Sequence, residues 1–264
     1  MDAPFLSRIT IFPIKALDPV EMTRATIAAG GSLTGDRRFA LLDRSGKFIN
    51  GKRNPRVHLL RAEFDLERSQ VRARHQGDNQ WHEFALAAGE PALERWLSDF
   101  FGEQVRVEEN PAAGFPDDTT ASGPTVVSAA SLLEVASWFP GFDAERVRRR
   151  FRVNLVVDGV PAFWEDLQFT EHERTRFRIG QVDLEGVNPC ARCVVPTRDH
   201  ETSDVVPAFQ RTFMERRAAT LPTGVARDRF DHFYRFTLNT YVPPGQAGKS
   251  LNVGDIVVSE RPCA

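Results

Sequence analysis

Cys190-Ala191-Arg192-Cys193 puts two thiols three residues apart in a chain with only three cysteines. A C-x-x-C can bind a soft metal, work as a dithiol, or sit as two half-buried cysteines in a strand–turn. No second C-x-x-C and no H-x₃₋₅-H accompanies it, so the spacing does not complete a zinc site. No βαβ pattern surrounds it as in a thioredoxin. Spacing alone therefore leaves a one-thiolate metal ligand and incidental cysteines both open. Arg192 would favour the thiolate of a neighbouring cysteine by Coulomb attraction.

The other side chains with chemistry to offer are cationic or amide. Lys15 follows Ile11-Phe12-Pro13-Ile14, and Gly35-Asp36-Arg37-Arg38-Phe39 places two arginines before a strand. Residues 152–157 read as an apolar strand headed by Arg152, and alternation puts Arg152 and Asn154 on one face. Such a pair could hold a phosphate or a heterocycle edge. Each of these also has a plain reading as a surface turn or ion pair. For Arg146, Arg148, Arg149 and Arg150 a solvated helix face is the reading adopted.

The elements that must position these groups are mostly strands. Residues 5–12, 23–27, 39–43 and 47–50 read as β, the last two around the turn at Arg44-Ser45-Gly46. Residues 57–66 and 70–74 form a predicted hairpin. Leu93, Trp96, Leu97 and Phe100 at helical spacing, after Pro91 and before Gly102, predict a helix. A strand at 105–107 precedes residues 109–123, which are rich in Pro, Gly, Asp and Thr and suit a domain junction or a long functional loop. Beyond it come a strand (125–127), helices (129–139 and 143–150), strands (175–179 and 181–184), the cysteine loop and a helix (204–217). Strands at 230–242 and 256–259 close the chain. Strands not regularly separated by helices give a β-rich α+β protein, more barrel than parallel sheet.

Composition narrows the classes. With 34 Lys+Arg against 36 Asp+Glu, the chain lacks the basic excess of a nucleic-acid binder. Few cysteines point to a reducing, cytoplasmic setting. The start shows no signal- or transit-peptide pattern. The apolar stretch 124–142 is bracketed by prolines and carries Ser128, Ser131, Glu134 and Ser137 at every third position, a polar stripe that argues against a membrane span.

Taken in order, Phe12-Pro13-Ile14-Lys15, Gly35-Asp36-Arg37-Arg38-Phe39, Arg53-Asn54-Pro55-Arg56, Phe151-Arg152-Val153-Asn154, Pro189-Cys190-Ala191-Arg192-Cys193 and Val253-Gly254-Asp255 resemble the MOSC proteins. The similarity extends to the mitochondrial amidoxime-reducing component and bacterial reductases of N-hydroxylated compounds. It implies a MOSC N-terminal β-barrel-like domain at 1–108 and a MOSC β-barrel domain at 109–264. It also implies a molybdenum cofactor (molybdopterin with Mo), with Cys193 rather than Cys190 as metal ligand and catalytic residue. Lys15, Arg37, Arg152 and Asn154 would contact the cofactor's phosphate or pterin, and Ser122 matches a hydroxyl-rich loop of the family.

The activity implied is reduction of small N-hydroxylated substrates, amidoximes or hydroxylamines, with electrons from a separate redox protein. The alternative is a molybdenum-cofactor or sulfur carrier using Cys193. The chain departs from the family pattern at Ala121, Pro196, residues 200–203 and the longer connection 243–249. With only Cys263 downstream, an iron–sulfur cluster, which needs four thiolates, is not expected in this chain.

Overall fold

The first strand, β1 (Phe5–Ile11), serves the far end of the chain. The computed structural model describes residues 3–261, so Cys263 lies outside the described residues. After β1 come β2 (Val20–Met22), β3 (Arg24–Thr26), β4 (Phe39–Asp43), β5 (Leu60–Asp65), β6 (Gln70–His75), β7 (His82–Ala85), α1 (Pro91–Phe101) and β8 (Val105–Glu109). The second half holds β9 (Val126–Ser128), α2 (Ala129–Ser137), α3 (Ala144–Phe151), β10 (Leu155–Asp158), β11 (Thr175–Ile179), β12 (Val182–Ala191), α4 (Phe209–Ala219), β13 (Arg235–Tyr241), β14 (Ser250–Asn252) and β15 (Val257–Ser259).

The main sheet runs β15-β11-β12-β13-β9-β10-β1-β2. It closes on β1, because Phe5 bridges Ile256, beside β15, and Leu6 donates to Asp255 O at 2.8 Å. That closure covers the outer side of the β15 end and makes the β-rich barrel expected from the sequence. The sheet crosses the 108/109 division, since β1, with β2 on its far side, pairs with β10 of the second half, and β3 pairs with β14. Lys15 and Arg37 are thereby tied to the barrel that carries the cysteines.

Three apolar clusters fill the interior. One lies inside the barrel around Leu6, Ile9, Val126, Leu184 and Leu238. A second joins β4, β5, β6, β8 and α1 in the first half. A third is a stack of aromatics from Trp138, Phe139, Phe151, Phe209, Phe213 and Phe236 under α2, α3 and α4. The expected helix at 91–100 forms with Pro91 at its start and Gly102 in the left-handed conformation at its end (φ 72°), the usual stop.

Two departures from the sequence reading shape the site. The strand expected at 152–157 starts only at Leu155, and Arg152 is the left-handed cap of α3, with φ 52° and ψ 56°. The chain must leave α3 and turn into β10 within three residues, which alternation of apolar residues cannot reveal. The shared-face argument for Arg152 and Asn154 therefore fails. Glycine would meet that turn without strain, so holding an arginine there costs about 1–2 kcal/mol.

The second departure is that β12 runs on through Cys190, so the two cysteines do not share one loop. Pro189 has no N–H for the ladder, and the β12–β13 register breaks between Pro189 and Ala191 and again between Gly186 and Asn188. Thr237, on β13 within the same irregular stretch, is left-handed at φ 72°. Residues 47–50 form no strand; Phe48 bridges Leu42 singly, and β4 takes β8 as its partner. The last long helix starts at Phe209 rather than 204, after Pro207.

Candidate functional site

A cleft of about 480 Å³ opens between the two halves, within the range of small-molecule sites. Lys15, Arg37, Ser122, Arg152, Asn154 and Cys193, the residues singled out in the sequence, all line it. Cys190, Arg192, Arg235, Lys52 and the loop after β8 line it as well.

Lys15 follows β1 and is buried. Its Nζ donates to Phe115 O at 2.8 Å, pairs with Asp117 at 2.6 Å and lies 5.0 Å from the centre of the Phe48 ring. Burial lowers its pKa, with Asp117 opposing that effect. Arg37 sits at φ 49° and is paired with Asp36, whose other oxygen accepts from Phe12 N at 2.8 Å. Burial alone would lower the Arg37 pKa, but Asp36 and Asp117 outweigh it and hold it above the ordinary value.

Arg152 differs from both. Its Nη1 donates to Leu17 O at 2.8 Å and its guanidinium stacks 4.0 Å from the Phe12 ring centre. Its Nη2 is buried with no hydrogen-bond partner, and among the described residues Arg152 forms no ion pair. Burial, then the charge of Arg37, pushes its pKa down to about 10. Asn154 is almost fully engaged: Nδ2 donates to Thr10 O at 3.0 Å, and Oδ1 accepts from Thr125 N at 3.2 Å and from Thr125 Oγ1 at 3.1 Å. It staples β1 to the segment entering β9, and one amide hydrogen is left over. Ser122 Oγ donates to Gly30 O at 2.8 Å and retains its acceptor capacity.

The cysteine wall resolves the role of Arg192. Its Nη1 donates to Cys190 Sγ at 3.1 Å and its Nη2 to Phe151 O at 2.7 Å. The guanidinium therefore serves Cys190, not Cys193. Both cysteines are free thiols; Cys193 is exposed and Cys190 half-buried. Among the described residues no group of three His, Cys, Asp or Glu could hold a metal ion by itself.

Seven cationic side chains line the cleft against Asp36, Asp117 and Asp118, reversing the sign of a chain with net charge −2. His58 adds no charge: burial first, then Arg152 and Arg198, push its pKa down to about 4. Such a cleft attracts anions. Asp117 and His58 were not singled out from the sequence. Asp117 does fall in the 109–123 stretch read as a domain junction or a long functional loop; nothing local to His58 marked it.

The family follows from the whole chain. Residues 3–104 match the MOSC N-terminal beta barrel domain and residues 120–258 the MOSC domain, and the chain belongs to the MOSC family. Among its relatives, the molybdenum cofactor sulfurase of Caenorhabditis elegans is 23% identical, over 87% of this chain and 34% of that protein. Mitochondrial amidoxime reducing component 2 of Macaca fascicularis is 20% identical, over 75% of this chain and 67% of that protein. Mitochondrial amidoxime-reducing component 1 of Homo sapiens is 22% identical over the same shares. The chain thus spans about a third of the sulfurase's length and about two thirds of the amidoxime reducing components'. No helix among the described residues is long and apolar enough to cross a membrane.

Proposed function

We propose that this chain is a molybdenum-cofactor oxidoreductase that reduces small N-hydroxylated substrates, taking electrons from a separate redox protein in the cytoplasm. The observation that carries the reading is the meeting, in one cleft, of an exposed thiol with a buried cation lacking a counter-ion. Cys193 offers one soft ligand, which suits a metal that arrives with most of its ligands supplied by its own cofactor. Lys15, Arg37 and Arg152 match a phosphate, and Arg152 Nη2 is a donor still unused. The donor set therefore fits a phosphate-bearing, thiolate-rich molybdenum cofactor.

When bound, that cofactor supplies the redox-active metal, and the protein supplies binding, orientation and electrostatics. Lys15 and Arg37 bring charge from the first half of the chain, Arg152 from the second. Asn154 holds the walls in register, and its one free N–H is left for the pterin. Ser122 can accept from the ligand while keeping its bond to Gly30 O. Relatives named amidoxime reducing component support the substrate class.

The test is protein made in a host that synthesises the cofactor, analysed for molybdenum and pterin and assayed with an amidoxime and a reduced dye. Parent protein should carry both and oxidise the dye only with substrate present. Lys15→Ala and Arg152→Ala should lower occupancy, and Cys193→Ala should abolish turnover. Full cofactor without turnover in the parent would favour the carrier reading. Full pterin content in both cation variants would refute the shared phosphate site.

A further inference from the structure

The loop between β8 and β9 brings a carboxylate of its own into the cation cluster. Asp117 pairs with Lys15 at 2.6 Å, and the two differ in mounting: the Lys15 side chain is 7% exposed, that of Asp117 80%. The cation is built into the wall and the anion reaches it from the open side. Arg37 and Arg152 also act on Asp117. Asp36, the other carboxylate at the cluster, cannot leave as easily, because its side chain is 5% exposed and fixed by Phe12 N.

The loop is pinned at both ends and free between them. Phe115 N donates to Arg37 O at 2.9 Å, Ser122 Oγ to Gly30 O at 2.8 Å, and Gly123 N to Thr240 O at 3.0 Å. Among the described residues, none from 116 to 121 donates a backbone hydrogen bond to another backbone group. Asp118 engages only Thr120 within the same arch. An arch of this kind can carry Asp117 out of the cleft without disturbing its anchors.

We propose that Asp117 is a specificity-determining residue of the anion site: a resident counter-ion that the ligand displaces from Lys15, selecting dianionic phosphate groups over monoanions. This rests on the phosphate site of the proposed function. A monoanion that replaces Asp117 leaves the charge beside Lys15 unchanged, so it gains little. A phosphate monoester brings a second negative charge, which Arg37 and the unpartnered Nη2 of Arg152 can take up. Discrimination of this kind comes from the cost imposed on the wrong ligand as much as from contacts to the right one.

The experiment is calorimetric titration of the full chain, made without cofactor, with methyl phosphate (dianion) and dimethyl phosphate (monoanion) at pH 8. The parent is expected to prefer methyl phosphate at least tenfold. Asp117→Asn, which keeps the shape and removes the charge, should bind both more tightly and dimethyl phosphate most, so that the preference falls at least fivefold. An unchanged preference in Asp117→Asn overturns the role of Asp117 and leaves the phosphate site standing. Lys15→Met separates the two ideas. If it binds methyl phosphate like the parent, or if the parent binds neither ester, the phosphate site itself falls. A sharp thermal transition in each variant confirms that folding is intact.

Discussion

Arg152→Met should make the protein more stable and a worse binder at once. The guanidinium has no carboxylate partner, and burial and Arg37 push its pKa down to about 10 from an ordinary 12.5. At about 1.4 kcal/mol per pH unit, holding the charge in the folded chain costs roughly 3 kcal/mol. Against that stand the bond to Leu17 O, worth about 1 kcal/mol, and the stacking on Phe12, worth about another. Methionine keeps the apolar stem over Phe12 and removes the charge, so a net gain of about 1 kcal/mol is expected. The sign holds across the working range: a base with a lowered folded pKa carries its full penalty at any pH below about 10.

In a chain of this size that gain raises Tm by about 2–4 °C. The assay is thermal and urea unfolding in phosphate-free buffer, repeated with added phosphate. Phosphate should stabilise the parent and leave Arg152→Met nearly unmoved, through linkage of binding to folding. A variant that is less stable than the parent by 1 kcal/mol or more, or that gains as much from phosphate, would show that Arg152 is a structural clamp and refute the reasoning.

Asn154→Ala should cost about 2–3 kcal/mol in urea unfolding, since it strands Thr10 O and the Thr125 donors in the barrel wall. Cys190→Ala should lose about 1 kcal/mol with the acceptor for Arg192 and keep its metal, whereas Cys193→Ala, exposed, should keep its stability and lose molybdenum on analysis. Glu165→Gln should alter the pH profile of stability. Glu165 is buried beside Asp166, with Ser128 N donating to it and Arg217 from α4 pairing with Asp166; burial, then the Asp166 charge, pushes its pKa up to about 7. Ionising it penalises the folded state, so its stabilising contribution is full below an ordinary pKa of 4.5 and fades as pH rises to about 7. Urea midpoints of parent and variant should therefore diverge across that window, and parallel profiles would count against it.

The candidate site was legible because its residues are carried by short motifs at element ends, and Lys15, Arg37, Arg152 and Cys193 reach one cleft although they come from opposite halves of the chain. What stayed hidden was set by partners distant in sequence. Nothing around Asp117 announces Lys15, and nothing in Cys190-Ala191-Arg192-Cys193 says which thiol the guanidinium will choose. That choice is made where β12 and β13 lose register around Pro189, a place fixed by pairing with Leu238 and Arg235. The misread strand at 152–157 has the same origin. Val153, Leu155, Val156 and Val157 are apolar because barrel and helix layer bury them from both sides, so no alternation marks the turn at Arg152. A left-handed arginine, where glycine would fit without strain, is what the proposed role of its side chain in the cleft would account for. The rule that the sequence pattern broke here, that charged residues avoid strained and buried positions, is the one the proposed ligand site would have reason to break.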